Sequence, residues 1–111
     1  MKHVIRPTAK DDILGRFRYY LLEEAFDAAQ RFLEAVDISI EVLCKMPEMG
    51  APQPFRNPVL AGLRSWAVKD FEDIRIYYVI QDDVLRVVRE LHGKRDIKRV
   101  LEGQAEEEPR Q

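Results

Sequence analysis

The sequence predicts an α+β domain in which a short strand and a hairpin of two helices precede an antiparallel β-sheet. Apolar residues recur at helical spacing through the first half of the chain and at a period of two over residues 63–91. Because the helices come first and the strands follow together, we expect the helices to pack on one face of the sheet. The expected element order is β-α-α-β-β-β-α, with a domain over residues 1–103 and an acidic, disordered tail over residues 104–111.

The chain is expected to open with a strand that leads into the first helix. Residues 2–6 form the strand, which stops at Pro7 because the proline ring lacks a backbone donor. Thr8 is expected to cap a helix over about residues 9–22, with Asp11 completing a variant of the capping box.

A second, longer amphipathic helix is predicted over residues 25–46. Cys44 lies beside its apolar stripe and is interpreted as a small buried residue, not as a nucleophile. Four of the six prolines fall within residues 47–58, which predicts an irregular loop.

The remaining residues predict a three-stranded meander and a last short helix. Strands are expected over residues 63–68, 74–81 and 84–91, and the residues of strand 74–81 alternate as in a half-buried strand. Asp96 is expected to cap a helix that runs to Leu101.

The net charge of −2 argues against a nonspecific nucleic-acid binder, although the charge is unevenly distributed. Residues 23–48 hold seven acidic residues against two basic ones, and residues 84–99 hold six basic residues against two acidic ones. The acidic segment is interpreted as a solvated helix face. The basic segment is either a solvated face or a surface for a partner.

Familiar catalytic and metal-binding patterns are missing. A single cysteine excludes an intramolecular disulfide and a four-thiolate metal site, and His3 and His92 lie far apart. No metal or other cofactor is therefore expected. The paired acids are interpreted as solvated, capping or turn residues: Asp11-Asp12, Glu72-Asp73 and Asp82-Asp83. Asp82 and Asp83 are expected to turn the chain between the second and third strands of the meander. Without a signal peptide or an apolar run of membrane-spanning length, we expect a soluble, cytoplasmic protein that does not bind membranes.

The segment from Gly62 to Asp96 carries a resemblance to a known family. Its matching parts are Gly62-Leu63-Arg64, Ile74-Arg75-Ile76-Tyr77-Tyr78, Asp83-Val84-Leu85, Arg89-Glu90-Leu91-His92 and Arg95-Asp96. With these parts the chain resembles the RelE/ParE superfamily of bacterial toxins, also described as plasmid stabilisation proteins. The Leu-His-x-x-Arg-Asp ending resembles the ParE side of the superfamily.

The resemblance implies a type II toxin that a cognate antitoxin neutralises, as a homodimer or as a toxin–antitoxin heterotetramer. ParE-like members inhibit DNA gyrase, whereas RelE-like members cleave mRNA on the ribosome. A toxin-like fold that has lost toxicity and only pairs with its partner is a third alternative. The antitoxin is expected to cover the helix hairpin and an open sheet edge at residues 63–68. There Trp66 is interpreted as a core or groove aromatic.

Two sets of site residues follow from the resemblance. The ParE-like hypothesis, which we prefer, has no catalytic residue and a basic target-binding set: Arg75, Arg89, Lys94, Arg95, Lys98 and Arg99. The RelE-like alternative is an endoribonuclease that uses Arg75, His92 and Arg95, with His92 suited to proton transfer. The lysines that those nucleases carry on the preceding strand are missing from residues 65–68, and Leu101 falls near the position of their terminal tyrosine.

Overall fold

The computed structural model describes residues 1–55, 57–93, 100 and 101. Its elements are β1 (Lys2–Ile5), α1 (Pro7–Leu22), α2 (Phe26–Lys45), β2 (Ala51–Pro52), a 3-10 turn (Pro58–Leu60), β3 (Arg64–Val68), β4 (Phe71–Gln81) and β5 (Val84–His92). The α+β class is confirmed, and the short strand β2 is an addition within the predicted loop. Most of the predicted C-terminal helix and the whole predicted tail fall outside the described residues.

The five strands form one mixed sheet in the order β1-β5-β4-β3-β2. β3, β4 and β5 are antiparallel neighbours, as the meander predicts, and β2 pairs antiparallel with β3. β1 runs parallel to β5, so the sheet is mixed, and the sequence analysis assigns no pairing partner to this first strand. No short turn joins β1 to β5, and a long connection permits parallel pairing.

Helix α1 begins earlier than its capping signal predicts. Its N-cap is Arg6, whose side chain makes no capping hydrogen bond, and Pro7 occupies the first helical position. The prediction that Thr8 caps the helix with Asp11 is therefore wrong. Proline is favoured at this position because its fixed φ suits the helix and its missing N–H is not needed there.

The β4–β5 hairpin turns on Asp82 and Asp83, as the sequence predicts. Both residues have positive φ, 55° and 61°. This pattern defines the type I′ turn, whose twist matches that of the flanking strands. The interpretation of these acids as turn residues is confirmed.

Apolar clusters lie on both faces of the sheet. The helices cover one face, where the most buried side chains include Phe32, Ile40, Leu43, Ile74, Ile76, Tyr78 and Leu85. The other face buries Leu60, Leu63, Tyr77, Val79, Val88 and Leu101. The prediction that residues 74–81 are half-buried is therefore wrong for the middle of β4, because the loop before β3 and Leu101 cover its second face.

Cys44 packs against the helix-side cluster and is partly buried. Burial raises the pKa of its thiol, which disfavours the nucleophilic thiolate. The interpretation of Cys44 as a packing residue is consistent with this environment. Within the described parts of the chain, no helix has the length and apolar character needed to cross a bilayer.

Candidate functional site

The predicted target-binding residues fall into two groups. Arg75 and Arg89 lie on neighbouring strands and are described by the structure. The other four, Lys94, Arg95, Lys98 and Arg99, lie outside the described residues, so their predicted role stays a prediction.

Arg89 is engaged in an ion pair with Asp12 of α1. Its Nε and Nη2 donate to the two carboxylate oxygens of Asp12 at 2.7 and 2.9 Å. The amide of Glu90 donates to the same carboxylate at 3.0 Å. The interpretation of Asp12 as a solvated or capping residue is wrong, because the carboxylate binds the end of β5 and only 15% of its side chain is exposed.

The guanidinium of Arg75 on β4 is hydrogen-bonded to Ser65 on the neighbouring strand β3. Its Nε and Nη2 donate to the Ser65 hydroxyl at 3.2 and 3.0 Å, and Nε2 of Gln53 donates to the same oxygen at 3.0 Å. Arg75 remains partly exposed and also lines a groove between α2 and β3. Its guanidinium is therefore oriented by Ser65 while part of it faces solvent.

The residues of the nuclease alternative do not meet on one side of the sheet. Ile74 pairs with His92, and Arg75 pairs with Leu91. Directly paired residues share a face and adjacent residues alternate, so His92 projects on the helix side and Arg75 on the opposite side. Arg95, the third residue of that set, lies outside the described residues.

Glu90 is a buried acid that the sequence analysis does not identify. Only 4% of the residue is exposed, and its Oε2 has no hydrogen-bond partner among the described residues. Burial raises the pKa of its carboxyl to about 8; the nearby carboxylate of Asp12 adds to this rise and the guanidinium of Arg16 opposes it. Glu90 pairs opposite Ile76 on the core face, a position that the alternation of residues along β5 does not reveal in the sequence.

Glu90 lines an open pocket of about 380 Å³ between α1 and β5. Its walls include Asp11, Gly15 and Arg16 of α1 and His92 of β5. We call this cavity the α1–β5 pocket. Across the described ranges, no group of three or more acidic, histidine or cysteine side chains is placed to hold a metal ion.

A second cavity, the α2–β3 groove, is more apolar. It measures about 430 Å³ and is lined by Ile38 and Val42 of α2 and by Trp66 and Ala67 of β3, with charged side chains at its rim. Ile38 and Val42 are 43% and 36% exposed. The interpretation of Trp66 as a core or groove aromatic is confirmed, because its partly buried ring packs against the core and lines this groove.

The predicted open edge at β3 is only partly open. On the side away from β4, β2 pairs with Arg64 and Ser65, and the described residues provide no strand there for residues 66–68. The free part of the edge therefore borders the α2–β3 groove.

Comparison with known proteins gives a family and a fold. The family model of the ParE toxin of the parDE type II toxin-antitoxin system matches residues 4–97. A solved structure described as the chromosomal ParDE TA system from P. aeruginosa has a TM-score of 0.68 at 14% identity, over 85% of this chain and 97% of that one. No curated protein matches the sequence. Because the family match extends over most of the chain, the protein belongs to the ParE toxin family of type II toxin–antitoxin systems.

Proposed function

We propose that this toxin inhibits DNA gyrase by binding it, without a catalytic step of its own. Membership of the ParE family supports the toxin role and implies an antitoxin partner. The choice of gyrase follows from the ParE-like character of the motif around His92. Binding by charge complementarity needs no proton transfer by the toxin.

The opposite orientation of Arg75 and His92 is the observation that best supports this choice. A ribonuclease must bring a proton-transferring group and a phosphate-binding group to the same scissile bond. Here the two side chains project from opposite faces of the sheet. The arrangement therefore disfavours the RelE-like endoribonuclease alternative.

The proposed contact with gyrase is made by the basic segment after β5, with Arg75 contributing from the sheet. Arg89 has a structural part, because its guanidinium is bound to Asp12 with only 16% of the side chain exposed. Lys94, Arg95, Lys98 and Arg99 are assigned to the contact on their sequence pattern. Among them, Arg95 is the residue that the family motif favours.

A supercoiling assay with purified gyrase tests this proposal. We expect the toxin to inhibit supercoiling, Arg95→Ala to abolish the inhibition, and Arg95→Lys to weaken it because an ammonium lacks the planar fork of a guanidinium. Arg31→Ala, at an exposed arginine of α2, is the matched control and should inhibit like the wild type. His92→Gln should also retain inhibition. Cleavage of mRNA in a translating extract that His92→Gln stops would replace gyrase inhibition with the nuclease function.

We further propose that the antitoxin occupies the α2–β3 groove. An extended segment can add to the free edge at residues 66–68 and place apolar side chains against Ile38 and Val42. Such strand addition also protects an edge that is otherwise prone to aggregation.

Co-expression with the protein encoded by the adjacent reading frame tests the groove. We expect the two proteins to co-purify, and Val42→Asp to weaken the complex by placing a charge in an apolar contact. Val59→Asp, at a valine that is 46% exposed on the 3-10 turn, is the control and should leave the complex intact. Equal binding by both variants would place the antitoxin elsewhere. The mass of the complex distinguishes a heterotetramer from other assemblies.

A further inference from the structure

The α1–β5 pocket contains a buried hydrogen-bond acceptor that the fold leaves unused. Only 4% of Glu90 is exposed, and its Oε2 has no hydrogen-bond partner among the described residues. Arg16, the nearby cation, lies over the ring of Tyr19 with its guanidinium carbon 5.0 Å from the ring centre. Native proteins rarely leave such an atom unsatisfied, since desolvation without a hydrogen bond costs stability. A group from outside the chain is one way to satisfy it.

Gly15 leaves the α1 wall of the pocket without a side chain. It lies inside α1 and lines the pocket, and a Cβ added there would meet nothing within 4 Å. Glycine weakens a helix relative to alanine, so packing within the chain does not account for it. A missing side chain at this position keeps the pocket open above Glu90.

The charges in the pocket favour a cation. The charge of Asp12 is neutralised by Arg89, whereas Asp11 is exposed and Oε2 of Glu90 has no hydrogen-bond partner among the described residues. An anion entering the pocket would lie near several carboxyl groups. A guanidinium offers donors in a planar fork that matches a carboxylate.

The rim of the pocket favours a side chain from a protein. Tyr19 lines the pocket and is 49% exposed, and Leu14, next to Gly15 in the sequence of α1, is 47% exposed. Exposed apolar and aromatic groups around a charged anchor are typical of protein interfaces.

We propose that the α1–β5 pocket is a binding site for an arginine side chain of a protein partner, with the Glu90 carboxylate as the main acceptor. The site is separate from the α2–β3 groove, because the two cavities share no lining residue. It does not depend on gyrase being the target.

Binding of a guanidinium at this site must be linked to the titration of Glu90. The free carboxyl, with a pKa of about 8, is largely protonated near neutrality, and a bound cation stabilises its ionised form. The groups that face Glu90 are Asp12, Arg16 and Tyr20 of α1, with Ile76 opposite it on β4. His92 also lines the pocket, so a His92 variant is needed as a control for its contribution.

Aromatic NMR of the purified toxin, titrated with N-acetyl-arginine amide, tests the site. Tyr19 lines the pocket, and the carbon-bound protons of its ring report binding at alkaline pH, where amide signals are lost. We expect these signals to shift with the arginine probe and not with N-acetyl-glutamine amide. The association constant should rise roughly 30-fold from pH 6.5 to pH 9, the increase in ionised Glu90 that its pKa predicts.

Matched variants separate this site from general charge effects. Glu90→Gln should lose both the binding and its pH dependence, whereas Glu41→Gln, the same change at an exposed position of α2, should retain both. Gly15→Gln should lose binding while α1 stays folded, and it tests the pocket even if Glu90→Gln folds poorly. His92→Gln should keep the rise with pH.

Several results would overturn the proposal. Equal shifts with the neutral probe, or unchanged arginine binding by Glu90→Gln, would remove the carboxylate from the site. A stronger response to spermidine than to the arginine probe would assign the pocket to a free polyamine. The titration uses the purified toxin alone, so a toxin that does not bind the arginine probe can still inhibit gyrase.

Discussion

Asp12 accepts both hydrogen bonds of the Arg89 guanidinium fork and a third from the Glu90 amide, so one carboxylate joins α1 to the end of β5. The position of this contact follows from the sheet. β1 pairs with β5 only as far as Val87, and beyond that residue α1 lies beside the strand. The Asp12 carboxylate therefore receives a backbone donor that β1 does not reach.

Removing the charge of Asp12 should destabilise the fold. Asp12→Asn removes the negative charge that is bound to the partly buried Arg89 guanidinium. We expect the free energy of unfolding to fall by about 2–3 kcal/mol, less than for a fully buried pair because roughly a sixth of each side chain is exposed. Urea denaturation at pH 7 measures the change.

The Asp27–Arg31 pair on α2 provides the control. Its side chains are 93% and 60% exposed, so Asp27→Asn should change the free energy of unfolding by only about 0–0.5 kcal/mol. Equal effects at Asp12 and Asp27 would mean that the Asp12–Arg89 contact contributes little. A large effect at Asp12 would also mean that toxicity lost in an Arg89 variant reports stability before it reports target binding.

A second contact that is sensitive to volume lies between Gly50 and Tyr78. The Gly50 amide donates to the Tyr78 hydroxyl at 3.0 Å, and that hydroxyl donates to the Pro47 carbonyl at 2.6 Å. A Cβ at Gly50 would overlap the hydroxyl. We expect Gly50→Ala to lower the free energy of unfolding by about 1–3 kcal/mol, because the buried tyrosine cannot move aside freely.

Gly15→Ala is the comparison for this prediction, measured by the same denaturation experiment. The methyl group there enters open space within a helix, so the free energy of unfolding should rise by about 0.5–1 kcal/mol. Losses of similar size at both glycines would contradict the packing argument for Gly50.

The fold was predictable where local patterns decide the structure. The two helices and the three strands of the meander follow from apolar periodicity, and the Asp82–Asp83 turn follows from its residue types. The direction of β1 was not predictable in this way, because its pairing with β5 depends on contacts across most of the chain. Strand β2 was also missed, since two residues carry no period.

The role of Glu90 was hidden by a bulge in β5. Leu85 and Val87 face the helices, and simple alternation would continue that face to Arg89 and turn Glu90 to the other side. The register with β4 shifts between Tyr77 and Tyr78, where Val88 is the extra residue. Glu90 consequently pairs with Ile76 on the core face, which a period read from the sequence alone does not reveal.

The β4–β5 hairpin should tolerate, and gain from, residues that favour positive φ. Asp82 and Asp83 hold this conformation at φ of 55° and 61°. Replacing them by Asn-Gly, the preferred type I′ pair, should raise the free energy of unfolding by about 1 kcal/mol. Asn-Ala at the same positions should lower it, and thermal denaturation distinguishes the two. Identical melting temperatures would show that the turn contributes nothing to stability.

Glu90 should make the stability of the toxin depend on pH. Burial raises the pKa of its carboxyl from 4.5 to about 8, so the folded chain binds this proton more tightly than the unfolded chain. The stability that this proton provides is complete below pH 4.5 and is lost as the pH rises through about 8.

Glu90→Gln removes the titration, so its stability relative to the wild type should increase from pH 5 to pH 9, by at most about 1.4 kcal/mol per pH unit. Urea denaturation at pH 5, 7 and 9 measures this difference, and Glu41→Gln should show a constant one. If the difference for Glu90→Gln is also constant, the Glu90 carboxyl ionises in the folded protein as it does in the unfolded chain, and its burial does not raise its pKa.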